Sequence, residues 1–411
     1  MTAAVSETPQ IEALSTLAMR RGVSPSYHCE VMHGVEAVLA GLDALATDPC
    51  VMHRQSGSSC APTAFQSLAW LKALLAVVAT ARHAEPRLLV FTEQETERFA
   101  IALPMLVRSQ GGLRIAEIAD LGLSDYCAPW LGPAAPVDAT GSARLYDALA
   151  VALADVDLIR LEKMPPHIAG HANPMVLHAR AVPSRFSRNA LIIEDTVEAF
   201  LASRGKKYRK EAERARRRLE DMGEVRLARA ATREEIDAAY RQLERWQAER
   251  HREAGHDYVL DQPEISRFYR ALLHDTSSTG AASLFTLTAG GEPVAMLFGV
   301  TTGSTFTLIR IADGGERWRQ VSPGRMIVLE AVRTLLAQGV REFDMGVGDY
   351  PFKRWIGCQS TPLVEVAVPL TWRARPRIAA EAARRGLRAN RYLRAFVRRI
   401  RALRRPKGAV Q

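Results

Sequence analysis

Asp349, Tyr350 and Lys353 share one short turn, Gly348-Asp349-Tyr350-Pro351-Phe352-Lys353, which offers a carboxylate, a phenol and an ammonium side by side. A carboxylate can take a proton from an amine, a phenol can return one to a leaving group, and an ammonium can hold an anion. Each has a plainer use. Asp349 can cap the Pro351 turn as an Asx motif, Tyr350 can pack, and Lys353 can be a surface charge. Shortly upstream, Ser322-Pro323-Gly324-Arg325 reads as a helix start, with Ser322 as N-cap and Pro323 at the first helical position. Ile327, Leu329, Val332, Leu335 and Leu336 follow at helical spacing, so this is either a capped core helix or an anion site. In the second reading the backbone N–H groups of 324–327 hold a pyrophosphate without a dedicated side chain. Cys358 is close in sequence, but the motif holds no His to activate it, and an inert buried thiol is the expectation.

The elements around these residues give them an order. Residues 282–288, 293–300 and 305–311 read as three strands rich in Val, Ile, Phe and Thr, separated by Gly290-Gly291 and Thr302-Gly303. They form an antiparallel meander. A helix over 323–338 follows, closed by Gly339, and then an apolar strand over 342–347.

This order, together with several motifs, resembles the GNAT acyltransferase superfamily. The likeness is to its cellulose-biosynthesis type (CelD-like) branch, which is similar to the Fem transferases. The basic run Ser203-Arg204-Gly205-Lys206-Lys207-Tyr208-Arg209-Lys210, the Ser322-Pro323-Gly324-Arg325 turn, Phe343-Asp344 and the 348–353 turn carry it. In the first half, residues 91–107 with Leu103-Pro104, and 121–126, also look familial, so the likeness spans roughly 65–370. Two departures stand out: the family's Gln/Arg-x-x-Gly-x-Gly/Ala loop is reduced to Ser-Pro-Gly-Arg, and the often acidic position after Asp349 is Tyr350. The resemblance implies an α/β (α+β) tandem GNAT fold, with mixed sheets flanked by helices. It also implies direct transfer from acetyl-CoA or another acyl-CoA to an amine or hydroxyl of a sugar, polysaccharide precursor or amino-acid-like acceptor. The backbone of Leu308, Ile309 and Arg310 would then polarise the thioester carbonyl, and Ser322, Gly324, Arg325 and Met326 would hold the CoA phosphates. Two alternatives stand beside it: a Fem-like transferase using aminoacyl-tRNA, and a non-catalytic accessory protein of exopolysaccharide (cellulose) synthesis.

Composition bounds these readings. The chain has 411 residues, 47% of them hydrophobic, and no apolar run long enough to span a membrane; the longest, 68–81, is interrupted by Lys72. The N-terminus does not read as a signal peptide. Five cysteines without a CxxC pair argue against a disulfide framework or zinc site. Ten histidines lack HExxH spacing, and His167 and His171 fall in a Pro-rich loop, so no metal is expected. A cytoplasmic location follows as the expectation, with contact at the inner face of the membrane left open.

The formal charge of +10 is local: residues 373–411 hold fourteen Lys or Arg and one acid, Glu381, so the body is slightly acidic. Leu393, Phe396, Val397, Ile400 and Leu403 recur at helical spacing there. Such a tail can lie on an anionic membrane, bind an acidic partner or nucleic acid, or pack on the body with its arginines solvated. No specific nucleic-acid partner is expected. Residues 204–218 hold nine Lys or Arg and two acids, with Tyr208, Ala212, Ala215 and Leu219 as the apolar stripe. This helix is either a solvated face or the wall of a donor cleft. The domains expected are a helical, variable segment 1–64, a degenerate GNAT-like half 65–190, a GNAT domain 191–370 with a helical insertion 197–253, and the basic tail 371–411. No internal repeat is legible in the sequence.

Overall fold

The computed structural model describes residues 26–47, 62–253, 255, 260, 262–275 and 282–389. The first part of the chain forms β1 (Tyr27–His33), α1 (Val35–Thr47), α2 (Leu68–Ala73, prolonged by a π turn), β2 (Glu85–Glu93), β3 (Phe99–Gln110) and β4 (Leu113–Ile118). It continues with β5 (Trp130–Leu131), α3 (Ala139–Ala152), β6 (Leu158–Met164), β7 (His167–Ile168), β8 (His171–Ala172) and β9 (Val182–Ile192). The second part has α4 (Val197–Ser203), α5 (Lys206–Glu220), β10 (Val225–Arg229), α6 (Arg233–Glu253), α7 (Pro263–His274), β11 (Ala282–Ala289), β12 (Glu292–Thr302) and β13 (Thr305–Asp313). It ends with α8 (Pro323–Ala337), β14 (Glu342–Asp344), α9 (Pro351–Ile356), β15 (Gln359–Pro369) and α10 (Arg375–Ala389).

Set side by side, the two parts repeat one plan. Each has an edge strand, a pair of helices, a three-stranded antiparallel run, a crossover helix, a strand parallel to the last of the run, and a closing strand. The parallel pairs are β4 with β6 and β13 with β14. The repeat invisible in the sequence is therefore present in the fold. The fold is a tandem of GNAT-type α/β units sharing one mixed sheet.

The halves are joined by exchange. β9, which ends the first half, pairs with β14 of the second, while β15, which ends the second, pairs with β6 of the first. β9 and β15 then pair with each other, giving the order β1-β2-β3-β4-β6-β15-β9-β14-β13-β12-β11-β10, with β5 on β3. The sheet of the first half thus begins at Tyr27, inside the segment read as helical and variable. The unit boundary near residue 190 is crossed by paired strands.

Packing follows the apolar patterns. α8 buries Met326, Ile327, Leu329, Val332 and Leu335 against Phe306 and Phe343 of the sheet, and α5 adds Tyr208, Ala212, Ala215 and Leu219, the stripe read from the sequence. On the other face the helices of both halves share a core, with Trp70 of α2 edge-on to Phe268 of α7 at 5.0 Å. Residues 197–220 form two helices rather than one, because Arg204 and Gly205 are extended (ψ 150° at both). Gly223 follows the second at φ 127°, where a side chain would strike the backbone of Gly290. Among the described residues no helix is long and apolar enough to cross a membrane.

Candidate active site

β13 and β14 run parallel for three pairs only, Thr305 with Glu342, Phe306 with Phe343 and Thr307 with Asp344, and then part. β13 carries a bulge at the same place: Gly299 of β12 faces Leu308 and Phe298 faces Arg310, so Ile309 is the extra residue. On the other side of the gap the chain leaves β14 through Gly346 (φ 72°) and Gly348 (φ 95°), which cuts short the strand expected over 342–347. The result is a splay in the sheet, with the unpaired edge of Leu308 and Ile309 along one side.

The first half reaches into this splay. Asp125 accepts the Val347 N–H at 3.0 Å, and a methyl group placed on Gly346 would lie 2.2 Å from Asp125 Oδ2 and 4.0 Å from the Leu308 carbonyl oxygen. Carboxylate and splayed strand therefore face each other across a glycine that can be nothing larger. Burial raises the Asp125 pKa, only partly offset by the Val347 N–H and the charge of Lys163. Asp125 lies inside the stretch 121–126 that looked familial, but nothing in the spacing marked it as a site residue.

Behind the splay stands a buried ionic cluster. Asp344, 1% exposed, accepts from the Tyr126 hydroxyl (2.7 Å), Arg188 Nε (2.7 Å) and the Gly346 N–H (2.8 Å), and Arg188 also pairs with Glu342. Burial raises the Asp344 pKa and Arg188 opposes the rise. Thr305, Thr307, Glu342 and Asp344 lie on the face of the sheet opposite Phe306 and Phe343, and open onto a cleft of about 420 Å³. Its other wall comes from the first half, Tyr126 and 167–170, so the cleft lies on the seam.

The residues singled out by sequence divide. Lys353 is buried, 4% exposed, and donates to the carbonyls of Gly346 (3.1 Å) and Val347 (2.7 Å). It is a clamp on the loop leaving β14, not the surface charge of the plainer reading. Desolvation lowers its pKa, against the attraction of Asp125. Tyr350, 58% exposed, presents its ring 5.4 Å from that ammonium and stacks on Phe352. Asp349 is turned away from this group, and its exposed carboxylate pairs with Arg354 at 2.8 Å. Cys358 is partly buried, with its pKa pushed up to about 11 by burial, so the thiol is protonated at neutral pH.

The helix-start residues also need correction. Ser322 is not a side-chain cap: it is left-handed (φ 50°), and its carbonyl takes both the Arg325 and Met326 N–H groups, at 2.9 and 3.1 Å. Two of the four donors expected for an anion are spent in this way. Met326 is in the core, fully buried, and can offer no side chain to a phosphate. Arg325 lies over the Trp355 ring at 3.7 Å and pairs with Glu211, tying α8 to α5 and α9. Arg310 is buried on the far face, bonded through Nε to Gln247 at 2.7 Å, so only its backbone belongs to the splay. At Gly324 a Cβ would meet only Ile311, at 3.8 Å.

The equivalent helix start in the first half is closed. Asp138 caps α3 by accepting the Gly141 N–H at 2.7 Å, and so puts a carboxylate where an anion would have to sit. The α8 start carries no such side-chain cap and no acid in its first turn. Among the described residues no group of His, Cys, Asp and Glu could hold a metal ion; His167 and His171 lie on the short β7–β8 hairpin.

Residues 206–354 match the family described as acetyltransferase (GNAT) domain. No curated protein matches the chain in sequence. Among solved structures it is similar to FemX, at 12% identity over 82% of this chain and 96% of that one, with a TM-score of 0.52. It is also similar to a conserved protein of unknown function from Bacteroides thetaiotaomicron, at 13% identity over 83% and 100%, with a TM-score of 0.50. At such identities the likeness is one of fold. Residues 206–354 thus match the acetyltransferase (GNAT) domain, within a chain folded as a tandem of such units.

Proposed function

We propose that the protein transfers an acyl group from an acyl-CoA thioester, acetyl-CoA first among them, to an amine, with donor and acceptor meeting at the splay of β13 and β14. The observation that carries this reading is the juxtaposition of the bulged edge that β14 leaves unpaired at Leu308 and Ile309 with the half-buried carboxylate of Asp125 across Gly346. The thioester brings an activated acyl carbon. Backbone N–H groups of the splayed strand polarise its carbonyl, and the first turn of α8 at Gly324 takes the pyrophosphate. Asp125 accepts the proton that the amine loses as its nitrogen bonds to the acyl carbon. The carbon–sulfur bond breaks, and the thiolate takes a proton from Tyr350 at the rim or from water. Lys353 acts as a positioning residue that fixes the loop 346–347.

The acceptor comes through the seam cleft, whose hydroxyls at Thr302, Ser304, Thr305 and Thr307 suit an amine on a hydroxyl-rich, sugar-like molecule. Such an acceptor is compatible with exopolysaccharide precursors. The test is calorimetric titration of the protein with acetyl-CoA and with CoA, followed by single-turnover acetylation of glucosamine. Donor binding without turnover would leave the donor site standing and discard the acceptor; no donor binding would discard the reading.

One observation favours a second reading. Two donors of the first α8 turn are taken by Ser322 and Arg325 is paired with Glu211, while Lys206, Lys207, Arg209, Lys210, Arg214 and Arg217 of α5 are exposed. A nearly bare pyrophosphate site beside a solvated basic face suits an aminoacyl-tRNA donor, held by its phosphates along α5. Competition between tRNA and acetyl-CoA in the same titration separates the two.

A further inference from the structure

The basic tail is rooted on the β3–β4 hairpin, where Arg373 donates to the Gly112 carbonyl at 2.7 Å, and the stripe read over 393–403 lies outside the described residues. At the seam, a lysine that no motif marked stands where the first half meets the second. β6 carries a bulge facing β15: Leu161 pairs with Val366 and Met164 with Val364, so Glu162 and Lys163 together oppose Glu365 alone. Lys163 takes the left-handed conformation there, at φ 56°, which glycine adopts freely and a lysine does not. Its side chain is only 11% exposed, and the ammonium donates to Asp120 Oδ2 at 2.6 Å and to the Ser124 carbonyl. The Lys163 carbonyl in turn accepts the Cys127 N–H at 3.1 Å.

The contacts at Ser124 and Cys127 bracket two residues through which this loop reaches the second half. Asp125 accepts the Val347 N–H at 3.0 Å, and the Tyr126 hydroxyl donates to Asp344 at 2.7 Å. Asp120 stiffens the same turn by accepting the Ser124 N–H at 2.7 Å. Across the seam, Lys353 grips the carbonyls of Gly346 and Val347. Each half therefore brings one lysine to the loop it contributes, and the bond from Val347 to Asp125 joins the two loops. An ion pair serving stability alone could be made at the surface, without a strained backbone.

We infer that Lys163 is a positioning residue of the site, holding 124–127 so that Asp125 and Tyr126 stand against the loop leaving β14. Its consequence for turnover rests on the acyl-transfer reading, whereas its hold on Asp125 does not. The ammonium also acts on the Asp125 carboxyl through charge. Burial is the largest influence there and raises the pKa; the Val347 N–H, Lys163 and Lys353 lower it, and Asp344 adds to the rise. Lys163 itself stays charged, because its acidic neighbours, Asp120 and Asp125 among them, outweigh the cost of burial and lift its pKa above the ordinary lysine value.

The test is an NMR pH titration of the full chain carrying isotope-labelled valine, following the Val347 amide, whose signal reports the protonation of the carboxylate it donates to. In Lys163→Met the pH at which that signal shifts should rise by about one unit, since a cation beside Asp125 is gone and its loop is released. Turnover of acetyl-CoA with glucosamine should fall about tenfold or more, with acetyl-CoA affinity unchanged. A lysine with a merely structural role would lower the unfolding temperature and leave the Val347 titration where it was. That result in a folded variant would overturn the inference, whatever happened to turnover. A moved titration with unchanged turnover would instead uphold the placement of Asp125 by Lys163 and remove Asp125 from the acyl-transfer reading. Should Lys163→Met fail to fold, Lys163→Gln, which removes the charge and keeps a donor, carries the same expectation and the same refutation.

Discussion

Asp125 loses water on folding, and the loss disfavours its charged form, so its carboxyl titrates above the ordinary aspartate range. A proton acceptor must be ionised to work. Turnover should therefore fall as pH drops through this raised pKa, starting at a higher pH than an exposed aspartate would give. Asp125→Asn should lower turnover by about 100-fold or more, abolish that acid limb and leave acetyl-CoA affinity unchanged. A pH–rate profile of the two proteins, with calorimetry alongside, checks all three. Asp349→Asn serves as the contrast. Its carboxylate is exposed and paired with Arg354, so the substitution should cost less than about threefold in turnover, a surface pair being worth little. A large loss there would return the proton-accepting role to Asp349.

The turn at the start of α8 and the loop leaving β14 make separate demands on glycine. Gly324 has ordinary dihedrals and room for a side chain, so Gly324→Asp should fold normally. The added carboxylate would meet the donor's phosphates and weaken CoA binding by about tenfold, roughly 1.4 kcal/mol. Unchanged affinity in a folded variant would move the pyrophosphate elsewhere. Gly346 is different: it combines φ 72° with a methyl position 2.2 Å from Asp125. Gly346→Ala should cost about 1–3 kcal/mol of stability from backbone conformation alone, and the displaced Asp125 should lose turnover with it. Denaturant midpoints measure the first effect and initial rates the second. A stable variant with full activity would show that the loop and the carboxylate are not coupled.

The exchange of β9 and β15 makes the seam part of the core, and the Arg188 cluster is its polar fastening. Arg188→Met would leave Asp344 buried without its cation, a loss of about 3–5 kcal/mol near neutral pH. The sign of the pH dependence follows from the direction of the shift. Burial already raises the Asp344 pKa, and removing Arg188 raises it further, so the folded state keeps a proton that the unfolded state releases. Stability of the variant should fall as pH rises from the ordinary carboxylate range through the folded pKa, and recover towards acid. Urea unfolding of both proteins at about pH 5 and about pH 8 tests this, and a loss of equal size at both would mean that Asp344 is not the group left exposed to the change.

Much of the second half was legible in the residues themselves. The meander, the α8 helix with Gly339 at its end, and the buried stripe of α5 follow from local periodicity and turn chemistry, which a short window of sequence contains. The resemblance found the right fold for the same reason. The site was only partly legible. The 348–353 turn was identified, but its residues were sorted by tertiary contacts: Lys353 turns inward onto two carbonyls while Asp349, four positions earlier, pairs with Arg354. Asp125 could not be found locally, because its partner Val347 is 222 positions away and its pKa comes from burial that only the packed halves provide. The repeat was hidden likewise, since a strand plan survives changes in sequence that erase residue-by-residue similarity. The sequence by itself determined the meander and crossover helix of the second half, their order and the concentration of charge in the tail. The tertiary structure decided which carboxylate meets the splay and where the two halves form a cleft, because each depends on strands exchanged between segments far apart in the chain.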